Sequence, residues 1–287
     1  MIENEIENIP FVDIHTHVNF SAYDSDRKEV IDRALSQNVY MMNVGTQQDT
    51  SKRAVEIAEE YEKGVYAIIG VHPIHSDACF HDTQELGEGN KEFMSRGEEF
   101  DPTVYKELAQ HKKVVAVGEC GLDYYHLSPE QKEKQTKNFL AQITFANEIQ
   151  KPLMLHIRKS DDSTIRSAYL DAADILKAES EVPFNVHFFA GTIEETKILL
   201  DLGATFSFTG VITFAKQYEE LIRYIPIDRM MSETDAPYVT PAPFRGKRNE
   251  PVHVIEVVKK MAEIKGVSED VMKENIWQNV NNFFDLR

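Results

Sequence analysis

Cysteine is scarce in this chain: Cys79 and Cys120 are the two among 287 residues. Two cysteines cannot build a disulfide framework, so the fold has to rest on a buried core, and a reducing compartment is expected. No apolar run approaches the roughly 20 residues of a membrane-crossing helix. The acidic start, Met1-Ile2-Glu3-Asn4-Glu5, lacks the charged-then-apolar pattern of a secretory signal. A soluble, cytoplasmic protein without a membrane partner is the expectation. Basic charge is also short. Lys and Arg number 31 against 48 Asp and Glu, a formal net charge of −17. That balance argues against a broad footprint on duplex nucleic acid, but leaves room for a small basic patch that grips a few phosphates. The sequence has no pattern resembling a Ser-His-Asp triad, a Walker phosphate loop or a dinucleotide fingerprint. It has no proline- or serine-rich linker and no low-complexity tract, so one domain over residues 1–287 is expected.

Eight short apolar runs read as strands: Phe11–His15, Tyr40–Val44, Val65–Val71, Val114–Glu119, Pro152–His156, Phe184–Phe188, Ala204–Phe208 and Met230–Thr234. Most are continuous rather than alternating, as in strands covered on both faces. Helical stripes lie between them, such as Val30, Ile31, Ala34 and Leu35, or Ala54, Ile57, Ala58 and Tyr61. Ser128-Pro129-Glu130-Gln131 is the clearest helix start, combining a cap, a first-turn proline and a glutamine able to close a capping box. Pro251 opens a further stripe at Val254, Val257, Val258 and Met261, which Gly266 would close. Strand and helix alternating eight times predict a closed (β/α)8 TIM barrel, a fold that typically takes about 250 residues. One connection, His75 to Lys113, is unusually long. Its polar stretch Thr83–Gly97 fits either a helical insertion or a mobile flap.

Metal-ligand residue types gather at the C-terminal ends of these runs. His15 and His17 end the first, Glu119 the fourth, His156 the fifth and His187 the sixth, and Asp235 follows the last. In a barrel of parallel strands these ends converge on one face. His15 and His17 are two apart on a strand and point the same way, with Asp13 on that face as a further ligand or a supporting partner. A His-x-His pair alone is a weak signal, and a lone His156 is more often a satisfied strand-end histidine. Six ligand-type residues at five strand ends carry more weight, since independent accidents would not share one face. Four imidazoles and two carboxylates can hold one or two divalent ions. A bridging Glu119 would place two cations about 4 Å apart, the spacing that clamps attacking and leaving oxygens in phosphoryl displacement. Asp235 could ligate an ion and orient or deprotonate water.

These residues also stand in blocks. Asp13-Ile14-His15-Thr16-His17, Gly70-Val71-His72-Pro73, Gly118-Glu119-Cys120-Gly121-Leu122-Asp123-Tyr124-Tyr125 and Glu233-Thr234-Asp235-Ala236-Pro237-Tyr238 resemble the signature blocks of TatD-type metal-dependent deoxyribonucleases, as does Arg245-Gly246-Lys247-Arg248-Asn249-Glu250-Pro251. The blocks run in the family's order over nearly the whole chain. The resemblance implies a TIM barrel of the amidohydrolase superfamily, with a centre of two divalent ions (zinc, manganese or magnesium) acting on DNA. It implies His15, His17, Glu119 and Asp235 at one ion and Glu119, His156 and His187 at the other, with His72 near the scissile phosphate. One block departs: His187-Phe188-Phe189-Ala190-Gly191 stands where the family often has His-Cys-Phe-Ser-Gly, with the histidine kept.

Candidate substrate contacts follow from charge. Arg158, two residues beyond His156, can fork to a phosphate, or else pair with Asp161 or Asp162. Arg245, Lys247 and Arg248 form the densest basic cluster of an acidic chain. Tyr124, Tyr125 and Tyr238 could stack bases or simply pack. Surface positions are expected for His81, His111, His126 and His253, and a buried apolar role for Cys120; His75 is left open. The leading expectation is a 3′–5′ exonuclease trimming single-stranded DNA ends by a metal-activated water, needing no obligate protein partner. The alternative is an amidohydrolase cleaving a small amide, ester or lactone. In many such relatives a carbamylated lysine bridges the ions, whereas Glu119 holds that place here. A structural zinc barrel fits less well, because structural sites are usually closed by four ligands, often cysteines.

Overall fold

A computed structural model describes residues 9–77, 80–81, 93–94, 97–125 and 128–286. Eight parallel strands form one sheet in chain order: β1 (Phe11–Thr16), β2 (Val39–Val44), β3 (Val65–Ile69), β4 (Val114–Asp123), β5 (Leu153–Arg158), β6 (Phe184–Val186), β7 (Thr205–Phe208) and β8 (Met230–Ser232). Helices cover its outer face: α1 (Arg27–Ser36), α2 (Gln48–Glu59), α3 (Pro102–Ala109), α4 (Pro129–Ile149), α5 (Ala168–Glu179), α6 (Ile193–Asp201), α7 (Glu219–Tyr224), α8 (Val254–Lys265) and α9 (Glu269–Phe284). This is the (β/α)8 barrel, each of its strands near the expected place.

The barrel closes between its first and last strands. Thr16 and Ala236 form a parallel bridge. The Asp235 amide donates to the His15 carbonyl at 2.9 Å, and the His17 amide to the Ala236 carbonyl at 2.8 Å. Buried Asp13 stitches the same seam: its carboxylate accepts from the Thr234 amide (2.8 Å), the His15 amide (3.2 Å) and the Thr234 hydroxyl. It therefore joins β1 to the segment after β8, and it is not among the side chains that converge at the barrel mouth.

Strand β4 extends to Asp123, four residues beyond the expected end. Gly121 permits this, because its φ is +139° and a Cβ there would lie 2.1 Å from the His156 carbonyl oxygen. Three strands stop earlier than expected, β3 at Ile69, β6 at Val186 and β8 at Ser232, so His72, His187 and Asp235 stand on the loops just beyond them. Helix α4 begins as expected, with the Ser128 hydroxyl accepting from the Gln131 amide in a capping box. Residues 80–81 and 93–94 pair as a short antiparallel ribbon. Otherwise the 82–96 segment, Cys79, His126 and the His81 side chain lie outside the described residues, as do the expectations placed on them. No helix among the described residues is long and apolar enough to cross a membrane.

Candidate metal centre

The side chains of His15, His17, Glu119, His156, His187 and Asp235 meet at the C-terminal mouth of the barrel. Glu119 is central and buried. Its Oε2 lies 3.3 Å from His15 Nε2 and 3.9 Å from His17 Nε2, and Asp235 Oδ1 lies 3.9 and 3.5 Å from the same two nitrogens. The two histidine Nε2 atoms are 3.2 Å apart. Its Oε1 lies 2.7 Å from His187 Nε2, 2.8 Å from His156 Nδ1 and 3.3 Å from His72 Nε2. One carboxylate thus presents an oxygen to each of two donor groups.

The donor chemistry fits divalent ions. Nitrogen and oxygen ligands about 2.0–2.1 Å from a tetrahedral ion lie about 3.3 Å from one another, close to the spacings within both groups. His17 Nδ1 faces the Val44 carbonyl at 2.9 Å. A carbonyl only accepts, so Nδ1 carries the proton and Nε2 turns a lone pair to the site. His156 Nε2 lies 2.8 Å from Asp123 Oδ2, which frees its Nδ1 in the same way. His187 Nδ1 is aimed at Glu233 Oε1, 3.6 Å away. A carbonyl or carboxylate behind each ligating imidazole is the usual support of a metal site. Among the described residues, the Nδ1 atoms of His15 and His187 are buried without a hydrogen-bond partner.

His72 is arranged differently. Its Nδ1 accepts from the Ile74 amide at 3.1 Å, so the neutral ring carries its proton on Nε2 and offers an N–H to the site. Burial lowers its pKa to about 4, so the ring is neutral near pH 7. Burial alone would raise the Glu119 carboxyl, but His72, His187 and His15 outweigh it and hold that group well below the usual carboxylate range. Burial acts likewise on Asp235 and is outweighed by the neighbouring imidazoles of His17, His15 and His187, which hold it below the usual carboxylate range. Asp235 sits at φ +55°, in the left-handed region that aspartate tolerates better than most residues.

The expected substrate contacts are scattered around this centre. Half-buried Arg158 stacks its guanidinium 3.8 Å from the Tyr125 ring centroid, and among the described residues it has no ion pair with Asp161 or Asp162. Arg245 lies 4.0 Å over Phe214, whose ring is 46% exposed, and donates to the Thr240 carbonyl. Lys247 is exposed. Arg248 is already engaged, with two hydrogen bonds to Asp26 of 2.9 and 2.6 Å. Tyr124 is not brought to the mouth: its ring is buried and its hydroxyl donates to Asp171 at 2.7 Å. Tyr238 stands 6.4 Å from His17, ring to ring, and Phe20 stacks on His17 at 4.4 Å. Of the remaining histidines, His75 is buried, His111 pairs with Glu59, and His253 packs half-buried on Phe244.

Asp123, Glu233 and Phe214 escaped the sequence reading. The first two stand inside quoted blocks, but only the fold turns their carboxylates toward ligand histidines. Phe214 carried no signal beyond its place after the seventh strand.

Fold and centre define a metal-dependent hydrolase barrel. The family profile described as TatD related DNase matches residues 12–285, and the chain belongs to that family. It is 35% identical over 279 residues to the uncharacterized metal-dependent hydrolase YabD of Bacillus subtilis, covering 96% of this chain and 98% of that one. It is 29% identical over 283 residues to the 3'-5' ssDNA/RNA exonuclease TatD of Pantoea ananatis, covering 96% and 99%. The crystal structure of YJJV, a TatD homolog from Escherichia coli K12, superposes with a TM-score of 0.77 at 23% identity, covering 96% and 98%.

Proposed function

We propose that this metal-dependent hydrolase is a phosphodiesterase that removes nucleotides from the 3′ ends of single-stranded DNA, using two divalent ions. The observation that carries this reading is Glu119, which shows one oxygen to His15 and His17, the pair that Asp235 also faces, and the other to His156 and His187. Zinc, manganese or magnesium held by these residues would supply Lewis acidity and lower the pKa of water toward neutrality. The chain's own groups fill the remaining roles. Asp235, kept ionised, orients the attacking water and takes its proton. His72 directs an N–H at the reacting phosphate and steadies the charge that develops there. Arg158 forks to a phosphate oxygen, with Tyr125 holding its guanidinium in plane. Farther along the strand, Phe214 offers an exposed ring to a base, with Arg245 and Lys247 beside it for the backbone. A strand end needs few phosphate contacts, which suits a chain of net charge −17.

The test is a time course on an end-labelled DNA single strand with zinc, manganese or magnesium, and with chelator as control. Stepwise shortening from the 3′ end that stops on chelation is expected. An intact strand with every ion, alongside turnover of a small ester, lactone or cyclic amide, would replace this reading with the small-molecule one. A parallel RNA strand separates DNA from RNA preference.

A further inference from the structure

Helix α4 carries an amide stripe among its apolar residues. Gln135, Asn138 and Gln142 are all buried, at the i, i+3, i+7 spacing of one helical face. Buried amides have to find partners, and each of these bonds a segment near the mouth of the barrel. Gln142 brackets the peptide of Val71, accepting from its amide at 2.8 Å and donating to its carbonyl at 2.9 Å, one residue before His72. Asn138 accepts from the Phe100 amide and donates to the Glu98 carbonyl and to Ser76. Gln135 repeats the bracket on Asp123, at 2.8 Å to its amide and 2.9 Å to its carbonyl.

The bracket on Asp123 has a chemical consequence. With its peptide held, the Asp123 carboxylate splits its two oxygens. Oδ1 accepts from the Tyr125 amide at 2.9 Å, and Oδ2 faces His156 Nε2 at 2.8 Å. The Tyr125 N–H can only donate, so it fixes which oxygen is left for the imidazole. We infer that Asp123, locked by Gln135, is a positioning residue that holds His156 as the Nε2–H tautomer and so keeps its Nδ1 lone pair on the Glu119 and His187 side of the centre. This rests on the metal reading above, and it adds a residue that acts through a ligand rather than as one.

The substitution Asp123→Asn makes the idea exacting. The Tyr125 N–H would claim the amide oxygen of the new side chain, and the NH2 group would then face His156. That ring would have to accept at Nε2 and carry its proton on Nδ1, the wrong nitrogen for an ion beside Glu119. The first measurement is a long-range 1H–15N spectrum of imidazole nitrogens in the zinc-loaded wild-type chain, with His156 assigned through His156→Gln. An Nε2-protonated His156 is expected; the opposite tautomer overturns the proposal even if no Asp123 variant folds. The second is zinc titration against a competing chelator. Wild type should fill two sites, and Asp123→Asn should weaken one of them about 10–100-fold while sparing the other. Asp123→Glu should restore part of the loss. A wild-type chain that takes up no ion sinks both this proposal and the metal reading. Two sites in wild type that persist undiminished in Asp123→Asn sink the role of Asp123 alone.

Discussion

The imidazoles of His15 and His187 lie face to face, their ring centroids 3.9 Å apart and their planes 11° from parallel. One belongs to each donor group around Glu119, so the two groups share a wall. Two stacked imidazolium rings would repel strongly in a buried setting. Divalent ions meet this constraint, because they need both rings neutral.

Loss of the shared carboxylate should therefore reach both groups at once. Glu119→Gln keeps the shape and removes the charge. Metal uptake by equilibrium dialysis should weaken by at least the about 10–100-fold that changes outside the ligand shell cost, with turnover abolished. Wild-type metal content in this variant would remove Glu119 from the centre.

Binding and chemistry should separate by residue. Arg158→Ala and Phe214→Ala should mainly raise KM on an oligonucleotide, the latter by about 5- to 150-fold if one stacked base contributes about 1–3 kcal/mol. Asp235→Asn should mainly depress kcat. On a phosphodiester that carries no base, Phe214→Ala should match wild type. Unchanged steady-state kinetics in all three variants would dismiss the assigned roles.

Asp13 should matter for stability rather than substrate. Asp13→Ala leaves the His15 and Thr234 amides buried and without their acceptor, at a cost of about 1–3 kcal/mol each. Urea unfolding of the metal-free chain should show a loss of about 2–6 kcal/mol. A midpoint equal to wild type would mean that the seam is held elsewhere.

His72 should leave a pH signature in the metal-free chain. It is neutral in the fold down to about pH 4, whereas an unfolded histidine gains its proton below about 6.5. The unfolded state binds more protons between those values, so stability rises with pH there. The share due to the neutral ring is complete above about pH 6.5 and is lost as pH falls toward 4. The stability difference between wild type and His72→Gln should shrink across that window. A difference independent of pH would contradict the buried neutral ring.

The fold was legible because each strand is a short apolar run followed by a helical stripe, and both periods are local properties. The convergence of His15, His17, Glu119, His156, His187 and Asp235 was legible too, since parallel strands bring their ends to one face. What escaped depends on how far a strand runs and where a side chain turns. Asp123 could be tied to His156 only once β4 was known to continue past Gly121. Arg248 read as a phosphate contact because Asp26, its partner, is 222 residues away in sequence. Tyr124 and Tyr125 are indistinguishable by type, yet one lies in the core and the other at the mouth. Gln135 and Gln142 carry no signal by type within a long helix, and only their brackets on Asp123 and Val71 give them a purpose.

The seam between β1 and β8 also orders events during synthesis. His15 and His17 leave the ribosome well before Asp235 and the amide that closes the barrel on His15. A nascent chain therefore carries imidazoles without the aspartate that completes their group. Whatever hydrolytic power the centre holds is withheld until the barrel has shut.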